Sequence, residues 1–169
     1  MTFPEDWLDL FVIEIGEPAD QEFRITVANG HLGREVPLAD VLSMSGISME
    51  TVDLGMGRPL EVTPQSRVFQ FHWTNYVAYS VRSESFWALE NSEPEHAGNF
   101  YTREKSAFLE FVSATTFASN DFPGLLTHWA LDTQHHCIAV VGWTPPIIRE
   151  LNVNDRNALL IRLGWLKTN

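Results

Sequence analysis

From residue 22 to residue 27 the chain alternates, with Phe23, Ile25 and Val27 on one parity and Glu22, Arg24 and Thr26 on the other. This period of two predicts a strand with one buried face. Residues 10–15 are largely apolar and closed by Gly16 and Pro18, which predicts a strand. Asn29-Gly30 is a turn signal that predicts residues 32–36 returning as a hairpin partner. Residues 37–42 predict a short helix with Pro37 in its first turn. Residues 51–54 and 60–63 flank a Gly-rich turn and predict a further hairpin.

The strongest alternation runs from Arg67 to Ser83. Phe69, Phe71, Trp73, Val77, Tyr79 and Val81 share one parity, whereas Gln70, His72, Thr74, Tyr76, Ser80 and Arg82 share the other. The pattern predicts one long strand or two strands bent near Asn75. Residues 85–99 then read as an acidic loop. Residues 102–115 predict the principal helix, with Thr102 as N-cap and Ala107, Phe108, Phe111 and Val112 at helical spacing. After Phe122-Pro123-Gly124, residues 125–131 and 136–141 predict a second hairpin, with Leu131 opposite His136 and Trp129 opposite Ile138. Residues 157–163 predict a short C-terminal helix. Together these elements predict an α+β fold, mainly antiparallel β-sheet with one principal helix, in a single domain spanning residues 1–169.

Composition narrows the function classes. Of the 169 residues, 44% are hydrophobic, enough to build a core. No apolar run reaches the roughly 18 residues of a membrane span, and the N-terminus lacks the basic and apolar regions of a secretory signal. A single cysteine, Cys137, forms no intramolecular disulfide and suits a reducing cytoplasm. The net charge of −11 is confined. Residues 1–22 hold seven acids and no Lys or Arg, residues 84–95 hold four acids and again no base, and the remainder balances at eleven against eleven. Such a field argues against nucleic acid or an anionic membrane as partner and favours a basic protein.

The second hairpin is the richest place for chemistry. In the predicted register one face carries His128, Asp132, His135 and Cys137, all metal-competent side chains, while the other carries apolar residues. His128, His135 and Cys137 are the candidate ligands, although their spacing matches no established metal motif and a small buried thiol is the ordinary explanation for Cys137. Cysteine–histidine catalysis would need a lowered thiol pKa and access to substrate. Arg82 and Glu84, in line with Ser80, form a polar row that is either a substrate floor or a solvated face. No cofactor is implied. Trp87, Trp143 and Trp165 are candidate anchors for a partner.

Residues 76–86, Tyr-Val-Ala-Tyr-Ser-Val-Arg-Ser-Glu-Ser-Phe, resemble a segment of a group of small uncharacterised bacterial proteins. There the segment is followed by a helix and a Phe-Pro-Gly turn leading into a two-strand ribbon. The matching pieces here are residues 105–112, Phe122-Pro123-Gly124, and His128 with His136, ending near Pro146-Ile147-Ile148. The resemblance covers about residues 67–150 and implies a layout, without an activity to carry over.

The leading expectation is a non-enzymatic protein-binding module, of immunity or regulatory type, that meets a basic partner through Glu84, Trp87, Glu90, Glu93 and Glu95, joined by Asp6 and Asp9. A small enzyme or metal-binding protein centred on His128, His135 and Cys137 is the alternative. Self-association through residues 159–165 is the third.

Overall fold

A computed structural model of the chain describes residues 9–44, 55–86 and 98–167. In chain order the elements are β1 (Leu10–Gly16), β2 (Phe23–Asn29), β3 (His31–Leu32), β4 (Val36–Pro37), α1 (Leu38–Met44), β5 (Met56–Gly57), β6 (Leu60–Glu61), β7 (Val68–Trp73) and β8 (Ala78–Ser83). There follow β9 (Phe100–Arg103), α2 (Ala107–Thr115), β10 (Thr127–Asp132), β11 (His136–Gly142), β12 (Ile147–Glu150) and α3 (Val153–Arg162). Two four-stranded antiparallel sheets, ordered β1-β2-β7-β12 and β8-β11-β10-β9, dominate the fold. The protein is α+β and mainly β.

The alternating positions read from sequence meet between the sheets. Phe23, Ile25, Val27, Phe69, Phe71 and Trp73 of the first sheet pack against Trp129, Leu131, Ile138 and Val140 of the second. Phe23 stacks on Tyr79 with ring centroids 4.0 Å apart, and Phe71 meets Phe100 at 4.7 Å. The long alternating stretch is two strands, and they lie in different sheets, so the break near Asn75 is the crossing from one layer to the other.

A helix covers each outer face. Leu160 of α3 packs on Phe11, Ile13, Ala28 and Val68 of the first sheet. Val112 of α2 packs with Val141, Ala118 and Leu126 on the second. Coverage on both sides explains the apolar run Leu10–Ile13 at the start of β1. A bulge between Val12 and Glu14 lets Leu10, Val12 and Ile15 face inward while Phe11 and Ile13 face α3.

Three expectations are corrected. Asn29-Gly30 does not make a hairpin, because neither residue has the positive φ that the tight turn requires. Gly30 is needed for space instead, since a Cβ there would lie 2.7 Å from the Phe11 ring. β3 consequently pairs with β6, and β4 with β5; residues 51–54 of the other expected hairpin lie outside the described residues. The principal helix starts at Ala107, five residues later than expected. Residues 100–103 extend the second sheet as β9, and the cap is Ser106, whose Oγ accepts the Leu109 N–H. The second hairpin is shifted by two positions, pairing Leu131 with Ile138 and Trp129 with Val140. Buried Thr133 sets that register, donating its hydroxyl to the His136 carbonyl at 2.9 Å and accepting the His136 N–H at 3.1 Å. A shift of two keeps every side chain on its expected face. Among the described residues no helix is long and apolar enough to cross a membrane.

Candidate functional site

The outer face of the second sheet holds a pocket, and register explains why it exists. Ser80, Ala139, Ala130 and Tyr101 stand side by side across the four strands, so three small residues leave the sheet hollow in its middle. One flanking row is Ala78, Val141, His128 and Arg103, and the other is Arg82, Cys137 and Asp132. The first turn of α2 closes the hollow from above. The result is a pocket of about 210 Å³ lined by Ser80, Arg82, Arg103, Ala107, Phe108, His128 and Ala139.

His128 is the central group. It is only 3% exposed, and its ring meets Phe108 edge-on at 5.9 Å. Its Nδ1 lies 2.7 Å from Ser106 Oγ, the same atom that caps α2. Oγ keeps one proton and one lone pair beside the Leu109 N–H, and in the tautomer where it donates to Nδ1 the neutral ring carries its proton on Nε2. That Nε2 is buried and has no partner among the described residues. Burial first, then the charges of Arg103 and Arg82, lower the His128 pKa to about 4, so the ring is neutral near pH 7.

The rest of the wall is committed. Arg103 donates to the Tyr101 hydroxyl at 2.8 Å, and that hydroxyl donates to Asp132 at 2.9 Å. Burial, followed by the Asp132 charge, raises the Tyr101 pKa, which keeps the phenol protonated. Arg82 differs: it is exposed, it lines the pocket, and its side chain makes no hydrogen bond or ion pair with the described residues.

The ribbon residues expected to hold a metal are not brought together. His128, Asp132 and Cys137 do share a face, but Cys137 pairs with Asp132, four positions along β10 from His128, or roughly 13 Å. His135 sits in the turn against Phe11, with ring centroids 5.8 Å apart. Among the described residues no group of three or more His, Cys, Asp or Glu could hold a metal ion. Cys137 is 4% exposed, and burial, then Asp132, pushes its thiol up to about 11. That is the opposite of an activated nucleophile.

The acidic stretches behave unequally. Glu14 is paired with Arg24 and Arg162, Glu22 meets His72 at 3.0 Å, and Glu17 accepts the Tyr79 hydroxyl. Asp9 lies at the other end of β1 and accepts from Gln134 of the β10–β11 turn at 2.9 Å. The Glu84 N–H donates to the His135 carbonyl of the same turn. Asp9 and Glu84, one from each base-free stretch, therefore flank a single turn. Glu84 opens a short 3-10 turn that ends at Phe86, which is 89% exposed. Trp87, Glu90, Glu93 and Glu95 lie outside the described residues, as does Asp6.

Comparison of the chain with protein-family models, curated proteins and solved structures finds no match. Reading the sequence alone missed Arg103, Ser106 and Phe108 as neighbours of His128. The available signal was Ser106 three residues before Leu109, a second capping candidate within the stretch assigned to helix.

Proposed function

We propose that this chain is a non-enzymatic protein-binding module, of bacterial immunity or regulatory type, that engages a basic protein through the acidic end of its second sheet. The acting residues are Glu84, Trp87, Glu90, Glu93 and Glu95, together with Asp6 and Asp9. The observation that supports this most is the single turn shared by Asp9 and Glu84, which draws one acid of each base-free stretch to one place. Exposed Phe86 supplies an apolar anchor at the same end. Glu14 takes no part, because Arg24 and Arg162 already offset its charge within the chain. A reducing cytoplasm suits the module, whose one cysteine is buried and unbridged.

A pull-down with the tagged chain from the source lysate, at low ionic strength and eluted by a salt gradient, tests the reading. One basic protein, retained stoichiometrically and released by salt, is expected. Retention of acidic or neutral proteins only, or a partner indifferent to salt, would contradict it.

A further inference from the structure

We propose that the pocket of the second sheet is a binding site for a small monocarboxylate with an apolar body, the carboxylate held by Arg82 and by the Nε2–H of His128. Three observations carry this inference, and none involves the acidic end. The first is the hollow itself. At about 210 Å³ it has room for the equivalent of roughly seven water molecules, which sets the ligand at the size of a small metabolite.

The second is polarity. A buried N–H without a partner costs stability, and such groups in a native structure call for an explanation. His128 Nε2 is a buried ring nitrogen without a partner among the described residues; it carries an N–H in the tautomer where Ser106 donates to Nδ1, and it belongs to a side chain that lines the pocket. Arg82 brings a planar donor fork suited to a carboxylate. The Ser80 hydroxyl on the floor is a further donor within the same lining. The third is the remainder of the wall. Phe108, Ala107 and Ala139 are apolar, so the ligand has an apolar part to set against them. That apolar wall favours a carboxylate with an apolar body over an inorganic phosphate, which has nothing to set against it.

The test uses the full chain, with benzoate, acetate and inorganic phosphate as probes. Benzoate should bind with a dissociation constant below about 10 mM, acetate more weakly because it lacks the ring, and phosphate most weakly. In the wild-type protein the His128 Nε2 resonance should move on adding benzoate. Arg82→Ala removes an exposed side chain and should weaken benzoate about tenfold or more. His128→Asn keeps an amide near the Nδ1 position facing Ser106 while deleting the Nε2–H, and should weaken it similarly. Arg34→Ala, on an exposed residue outside the pocket, should change nothing. The proposal is overturned if benzoate fails to bind, if the His128 resonance stays still as it binds, or if Arg82→Ala leaves its affinity within about twofold. Phosphate binding as tightly as benzoate would overturn the ligand class.

Discussion

Arg82 and Glu84 stand two residues apart at the end of β8, yet they belong to regions of opposite sign that operate by different physics. Glu84 opens the acidic end, where charge is exposed and acts through solvent over a distance set by salt. Arg82 borders the pocket and lines the same hollow as the His128 ring, which is 3% exposed. The acidic end has numbers, and among the described residues Asp9 and Glu84 attach it to one turn. The pocket has few charges: Arg103 is tied to Tyr101, whereas the Arg82 side chain has no partner among the described residues. A surface of the first kind tunes encounter and salt dependence, and a site of the second kind selects shape and chemistry.

Acid is the most forceful way to separate the two. His128 has a folded pKa of about 4 against an ordinary 6.5, so between those values the unfolded chain binds a proton that the folded chain does not. The contribution is fully present above pH 6.5 and is lost as pH falls toward 4, by about 2–3 kcal/mol between pH 7.5 and pH 4.5. Denaturant titrations at those two pH values should show this loss in the wild type. His128→Asn should lack it, with the carboxylates and the other histidines contributing equally to both proteins. An equal drop in both would mean that the pocket does not hold the ring neutral.

A smaller effect distinguishes the two helix caps. Asn152 accepts the Asn154 and Asp155 N–H groups in an exposed setting, and Asn152→Ala should cost about 1 kcal/mol. Ser106 also satisfies His128 Nδ1, so Ser106→Ala should cost about 2 kcal/mol, losing a cap and stranding a buried nitrogen. Equal costs in thermal or chemical unfolding would remove Ser106 from the pocket's support. The smallest expected change is in salt response. Raising ionic strength from about 0.05 to 0.5 M should weaken benzoate binding only about threefold or less, since a half-enclosed pair is screened less than exposed charges.

Much of the fold was legible because one period governed it. The alternation of Phe69, Phe71 and Trp73, and of Trp129 and Leu131 against Ile138 and Val140, fixed which faces form the core. A register wrong by two left those faces unchanged. The misread segments were those where a tertiary contact outweighed a local signal. Asn29-Gly30 reads as a turn by composition, whereas Gly30 is there to clear the Phe11 ring. Thr102 reads as a cap, whereas β10 takes residues 100–103 as a strand and passes the capping role to Ser106. The pocket was half legible. Ser80 and Arg82 share a parity that any alternation analysis finds, but Arg103 and Phe108 approach His128 only once β9 is recognised. Grouping the metal-competent residues of one ribbon face overlooked distance along the strand, which separates His128 from Cys137.

The central claim is that the acidic end recognises a basic protein. It is tested most directly by titrating the captured partner with wild-type chain and with the combined variant E84K/E90K/E93K/E95K, at low and at high ionic strength. The account predicts that the reversal weakens binding by about a hundredfold or more at low salt, with the gap between the two proteins narrowing as salt rises. Equal affinities for the two proteins at low salt would contradict it.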